Sequence, residues 1–258
     1  SGKSECFMVP MLNDMARQVD EHDETLVGVQ AIMLYPLNAL INSQRDRLIG
    51  WTRGFEGKVR FALYNGETPK SLHSQRTRNQ TAWHGTAKPE EVRDRKGIRS
   101  NPPPILVTNT TMLEYMLVRP EDRPLIERSK GKLRWIILDE AHTLIGSAAA
   151  ETSLLLRRTM YSFGVEPKDV RIVATSATIG DSTRPEETDQ KLRAFLSDLA
   201  GVGIEQISVV RAHRYVPALP AYEGEAKDAS LDRFSSLDAA EAYETLSQMQ
   251  LMRNLRDK

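Results

Sequence analysis

The chain has 258 residues, 40% of them hydrophobic and 27% charged, and its 35 basic and 35 acidic residues cancel. That length holds one large domain with a substantial core, or one domain and an appendage, and the neutral balance leaves any nucleic-acid contact to a local patch rather than a global field. A single cysteine, Cys6, excludes an internal disulfide and a thiolate zinc site and suits a reducing cytoplasm, while no apolar run approaches the length of a membrane span and no secretory signal is present.

Ser1, Gly2, Lys3 and Ser4 read as the tail of a G-x-x-x-x-G-K-[ST] phosphate loop. In such a loop backbone N–H groups wrap phosphates, the lysine reaches the β and γ oxygens and the hydroxyl binds Mg²⁺. On its own the match is weak and is open to reading as a chance turn. A helix over residues 5 to 18 follows, with Pro10 expected to kink or shorten it. After a polar connection at residues 20 to 25, residues 30 to 35 form a short apolar strand. Pro36 then suits the first turn of a helix over 37 to 53, with an apolar stripe of Leu37, Leu40, Ile41, Leu48 and Ile49. Asn38, Asn42, Gln44, Arg45 and Arg47 make its polar face, read either as a nucleic-acid surface or as a solvated one. Residues 59 to 64 alternate as a strand, and Asn65-Gly66 signals a turn in which glycine lets a backbone approach phosphates or simply closes a tight loop.

Residues 71 to 100 carry seven lysines and arginines against three acids, together with Trp83 and His84. They read as a loop that tracks phosphates and stacks a base, or as a solvated excursion at a domain edge. Asn101 and three prolines feed a strand over 105 to 108. Thr108, Asn109, Thr110 and Thr111 open the next helix, 112 to 118, as a phosphate site or as ordinary N-capping by Thr110 or Thr111. A short polar helix is expected over 120 to 130. Leu133 to His142 is then an apolar run of buried-strand type ending in two acids, Asp139 and Glu140. Acids at the carboxyl end of a parallel strand lie where ligands bind, and there one can hold a nucleotide's Mg²⁺ and its neighbour a water. The bland alternative is an acidic helix start. A helix over 148 to 163 closed by Gly164, a strand over 170 to 174 that delivers Thr175 to Thr178, a helix over 185 to 200 and a last strand over 207 to 210 complete the pattern. From residue 213 a linker leads to a helix capped by Ser236. The five histidines do not cluster at ligand spacing, so no structural metal is expected.

Asp139-Glu140-Ala141-His142, Ser176-Ala177-Thr178 and the upstream Gly-Lys-Ser together resemble motifs II, III and I of superfamily 2 helicases of the DEAH-box type, over roughly residues 1 to 210. Residues 35 to 40, 64 to 68 and 107 to 117 resemble the intervening strand-contacting motifs, with a wording nearest to large, Lhr-like bacterial DNA helicases, some of which serve phage defence. The resemblance implies an α/β, RecA-like P-loop NTPase domain over 1 to 212, with a mainly parallel sheet, helices on both faces and its first strand missing, followed by a linker and amphipathic helix over 213 to 258. It implies ATP and Mg²⁺ as cofactors. Lys3 acts on the phosphates with Ser1, Gly2 and Ser4; Ser4 and Asp139 hold the metal; Glu140 activates water; His142, Ser176 and Thr178 couple nucleotide state to movement. Pro36, Asn38, Gln44, Gly66, Thr108, Asn109 and Thr111 are the implied strand contacts. A second RecA-like domain of a longer chain is expected to supply an arginine finger, so that this stretch alone turns over nucleotide negligibly. DNA is favoured over RNA as the partner, with defence-complex subunits as further partners, and a duplex translocase or a binding module with a vestigial ATPase are the alternatives.

Overall fold

The computed structural model describes residues 3–71, 88–144, 147–175, 185–210 and 237–249, apart from the side chains of Lys3, His142, residues 185 to 188 and Ser247. Contacts divide the chain into two compact units, Ser1–Val209 and Val210–Lys258.

Among the described residues, five strands build the first unit: β1 Ala31–Leu34, β2 Phe61–Leu63, β3 Ile105–Thr108, β4 Trp135–Leu138 and β5 Arg171–Ala174. All pairings are parallel, in the order β2-β3-β1-β4-β5, and β1 aligns Ala31 with Ile105 on one side and Trp135 on the other. The four strands β1 to β4 are buried on both faces, which accounts for their unbroken apolar runs; β5 lies at an edge with exposed or half-buried side chains. On the opposite edge, residues 90 to 92 flank β2, the Phe61 N–H donating to Glu90 C=O at 2.8 Å and the Val92 N–H to Phe61 C=O at 2.9 Å.

Alternate residues along each strand feed two separate cores. Met33, Tyr35, Phe61, Val107 and Ile137 pack on helices α1 (Lys3–His22) and α2 (Asn38–Thr52), through Phe7, Met8, Met11, Met15, Ile41 and Leu48. Ile32, Leu34, Leu106, Ile136 and Leu138 pack on the other face. There they meet α3 (Arg95–Ser100), α4 (Thr110–Val118), α5 (Arg123–Arg128), α6 (Ser147–Ser162) and α7 (Pro185–Ala200). The expected mainly parallel sheet with helices on both faces is thus present.

Local differences have local causes. Pro10 neither stops nor shortens α1: it sits exposed within a 20-residue helix, and the cost of an interior proline, roughly 3 kcal/mol, is offset by the apolar face that α1 buries. Helix α4 is capped neither by Thr110 nor by Thr111 but by Asn109, whose Oδ1 accepts from the Met112 N–H at 2.7 Å. Residues 207 to 210 are not a strand. They follow a 3-10 turn, Ile204–Gln206, with Val210 86% exposed, so their β-branched run finds no sheet edge among the described residues. In the second unit, helix α8 (Ala239–Gln248) is capped by Asp238 through the Ala240 and Glu241 N–H groups, and the predicted cap Ser236 lies outside the described residues.

Two polar clusters fasten the layers. At the amino ends of β4 and β5, the Asp14 carboxylate of α1 accepts from Arg134 Nε and Nη2, both at 2.8 Å, and from Trp135 Nε1 at 2.9 Å. Beyond β2, the Tyr64 hydroxyl donates to the fully buried Asp122, which also accepts from Arg99 Nε at 2.6 Å.

Asp14→Ala leaves a half-exposed guanidinium and a buried indole N–H without their acceptor, and is expected to cost about 2 kcal/mol, read as a shift in the urea unfolding midpoint. Burial foremost, then the bond to Asp122, pushes the Tyr64 phenol up from 10.0 to about 12. Because the folded state holds that proton more tightly than the unfolded chain, the associated stability is complete below pH 10 and is lost as pH rises toward 12. Unfolding midpoints measured across that window are expected to fall more steeply in the wild type than in Tyr64→Phe.

Candidate functional site

Parallel strands deliver every carboxyl end to one edge of the sheet. The chain runs from β1 outward to β2 and returns to β3, then crosses to β4 and β5 on the other side, so the β1/β4 crevice is where the connections diverge. That is the place where an open α/β sheet accepts a ligand. Asp139 stands there, its N–H continuing the ladder to Leu34 C=O at 3.0 Å. Glu140 follows in the left-handed region, with φ 55° and ψ 43°, a strain of roughly 1–2 kcal/mol for a residue with a Cβ. The turn ends the strand within one residue and leads into the 3-10 turn Ala141–Thr143.

The end of β5 secures this turn. The Thr175 hydroxyl donates to Asp139 Oδ1, the Thr175 N–H donates to Leu138 C=O at 2.9 Å, and the Ala141 N–H donates to Thr175 C=O at 2.8 Å. The sequence delivers Thr175 to Thr178 at the end of a strand beside the acid-ended one, where hydroxyls can bond to those acids, with a polar loop as the alternative for Thr175; the bond to Asp139 is the first of these. The position of Thr175, the first residue after a strand adjacent to the acid-ended one, is the signal that identifies it. Ser176 and Thr178 lie outside the described residues, as do Ser1, Gly2 and the side chains of Lys3 and His142.

Ser4, in the first turn of α1, accepts a hydrogen bond from Arg47 Nη1 at 2.7 Å, and Arg47 Nη2 lies 3.5 Å from Glu5 Oε1. Burial foremost, and then the Asp139 carboxylate, pushes the Tyr35 phenol far above its ordinary value, while Arg47 pulls it down. Tyr35 thus feels the opposite charges of Asp139 and Arg47, and Arg47 is bonded to Ser4. Tyr35 itself is 1% exposed, and its hydroxyl has no partner among the described residues. No group of three or more potential metal-binding His, Cys, Asp or Glu side chains occurs among the described residues. One carboxylate and one hydroxyl fit a Mg²⁺ ion that arrives with a nucleotide and keeps its waters, rather than an all-protein cage.

The remaining candidates form a rim along the same edge. Asn109 Nδ2 donates to Asn38 Oδ1 at 2.8 Å, joining the starts of α4 and α2, and Asn42 Nδ2 donates to Glu67 Oε2 at 3.2 Å, joining α2 to the loop that carries Gly66. Pro36, Gly66 and Thr111 are exposed. The two helix starts differ: the cap position of α2, Leu37, offers no side-chain acceptor, so the Asn38 and Ala39 N–H groups meet no acceptor among the described residues, whereas α4 is capped from within by Asn109. Thr108 does not face the surface. It is 1% exposed and its hydroxyl donates to Tyr64 C=O at 2.6 Å, which ties the ends of β2 and β3 together. Gln44 is half-buried, its Oε1 without a partner among the described residues.

The cations expected to face solvent are largely engaged inside the fold. Arg45 makes a bidentate pair, 2.7 Å on each arm, with the enclosed Glu91, and Arg93, 9% exposed, lies 3.7 Å from the same carboxylate. Residues 90 to 93 are therefore a buried strap beside β2 that is pinned to α2, while Lys88 and Lys96 are exposed and residues 95 to 100 form α3. Arg76, Arg78, Trp83 and His84 lie outside the described residues.

No helix among the described residues is long and apolar enough to cross a membrane. The DEAD/DEAH box helicase family model matches residues 1–185. The chain is similar to the Druantia protein DruE of Escherichia coli (strain UMEA 4076-1), 26% identical over 286 residues that cover 78% of this chain and 15% of that protein. It is also similar to the uncharacterized ATP-dependent helicase YprA of Bacillus subtilis (strain 168), 26% identical over 195 residues that cover 74% of this chain and 21% of the relative. In fold it resembles the crystal structure of the DUF1998 helicase MrfA bound to DNA and AMPPNP, with a TM-score of 0.50, 21% identity, and coverage of 78% of this chain and 22% of that one. The chain thus spans about a fifth or less of the length of these relatives. With the acids at the carboxyl end of β4, the parallel RecA-like sheet and a family match over more than half its length, this chain belongs to the DEAD/DEAH box helicases.

Proposed function

We propose that the chain is the first motor domain of an ATP-dependent, DEAH-type DNA helicase in which nucleotide hydrolysis drives movement along, or separation of, a DNA strand. The observation that carries the reading is the placement of Asp139 and Glu140 at the β1/β4 crevice, where Thr175 fastens the turn through its bond to Asp139. Lys3 neutralises the β and γ phosphates of ATP, and the Ser4 hydroxyl and Asp139 carboxylate orient Mg²⁺. When bound, that ion supplies charge neutralisation of the phosphates. Glu140 orients and deprotonates the attacking water from the turn that follows the strand end. His142, Ser176 and Thr178 couple nucleotide state to the strand contacts. A second RecA-like domain supplies the arginine that phosphoryl transfer requires.

Pro36, Asn38, Gly66, Asn109 and Thr111 contact the backbone of one strand. The reading is supported by their position along one rim and by the uncapped start of α2, since free helix amides suit phosphates. The resemblance of the motifs to Lhr-like bacterial helicases supports a role in DNA repair or phage defence, and the MrfA complex with DNA supports DNA over RNA.

In the full-length protein, Glu140→Gln is expected to lower DNA-stimulated ATP turnover by at least about a hundredfold while binding of a fluorescent non-hydrolysable ATP analogue is retained. A variant that keeps wild-type turnover overturns the assignment of the base. Thr175→Val removes the donor that orients Asp139 and is expected to weaken Mg²⁺-dependent analogue binding about tenfold or more, read by Mg²⁺ titration, with binding in the absence of Mg²⁺ and the thermal midpoint little changed.

A further inference from the structure

We propose that Arg95 is a positioning residue for strand binding: it draws the carbonyls of the loop 65–68 inward and thereby turns the Gly66 N–H outward as a phosphate donor. The inference rests on the reading of Gly66 as a strand contact.

Arg95 opens α3, and its side chain is directed at backbone. Nε donates to Thr68 C=O at 2.9 Å, and Nη2 donates to Asn65 C=O at 3.1 Å and Gly66 C=O at 3.4 Å. The guanidinium also stands over the Tyr64 ring, 5.6 Å from its centroid, and that ring is itself held by Asp122 and Arg99. Only a planar fork of donors satisfies several carbonyls and a ring at once.

The loop's amides show the consequence. In a trans peptide the C=O and N–H point to opposite sides, and no cis bond occurs among the described residues. Holding the Asn65 carbonyl on Arg95 therefore directs the Gly66 N–H away from the protein interior. The other amides are used within the loop: the Asn65 N–H donates to Thr68 Oγ1 at 2.9 Å, the Glu67 N–H to Asn65 Oδ1 at 3.0 Å, and the Thr68 N–H to Asn65 C=O at 3.2 Å. The Gly66 N–H is the one with no acceptor among the described residues. Gly66 is exposed, its φ is not in the left-handed region, and a Cβ built there meets nothing within 4 Å. Glycine at this position is thus required neither by backbone strain nor by packing, and what it leaves open is the space in front of that amide.

The test measures binding of a labelled single-stranded oligodeoxynucleotide to the full-length protein across a salt series, for the wild type, Arg95→Ala, Arg95→Lys, Gly66→Ala and the Gly66/Arg95 double alanine variant. Each free variant's thermal midpoint is recorded alongside. Arg95→Ala is expected to weaken binding about tenfold, a typical loss for one charge-assisted phosphate hydrogen bond, with the slope of log affinity against log salt unchanged. Arg95→Lys, which keeps the charge and loses the fork, is expected to stay weak. The double variant should be no weaker than the worse single one, because both changes act on the same donor. A slope reduced by about 0.7 in Arg95→Ala would make Arg95 itself a phosphate ligand, and full rescue by lysine would make charge the operative property; either overturns the proposal. Unchanged binding in Arg95→Ala with weakened binding in Gly66→Ala overturns it while leaving the strand-contact reading intact. Unchanged binding in both removes that reading as well.

Discussion

The parallel pairing of β1 with both β3 and β4 is the constraint on which everything else rests. Each strand must be followed by a crossover before the next can run the same way, so all five carboxyl ends, with the turns that leave them, gather along one edge. Side chains far apart in the chain become neighbours without any special adhesion between them. Tyr35, Thr108, Asp139 and Thr175 each stand at or one residue past a strand end, and the register that aligns Leu34 with Thr108 and Leu138 holds them level.

Helix α2 turns that edge into a connected device. Its first turn meets Asn109 through Asn38, its second reaches the Gly66 loop through Asn42, and its third holds Ser4 through Arg47. The pairing of Arg45 with Glu91 fixes the same helix to the strap outside β2. The cost of burying that carboxylate is compensated by both arms of the guanidinium.

Much of this was legible in the residues. Unbroken apolar runs announced doubly covered parallel strands, and the run ending in Asp139 and Glu140 located the crevice, because a buried strand and the charged turn that leaves it carry opposite marks on adjacent positions. What was hidden depended on partners distant in sequence. Arg45, Arg47, Arg93 and Arg95 carry the same charge as any solvated arginine, and nothing in their local pattern says that Glu91, Ser4 or a set of carbonyls awaits them. Thr108 and Asn109 depart from their expected parts for a similar reason: alternation along β3 turns the Thr108 hydroxyl inward, and the cap falls on Asn109, ahead of the Thr110 or Thr111 that threonine preference suggested. The β-branched run at 207 to 210 shows the limit of propensity, which supplies a strand former but no edge to receive it.

Glu140 adopts a backbone conformation that glycine or asparagine would occupy more comfortably. Folding alone favours glycine at such a position, so under the proposed function the carboxylate is held at a cost in stability. Directed evolution toward heat tolerance should drift toward glycine here, and would return a sturdier molecule without the base that the proposed reaction needs.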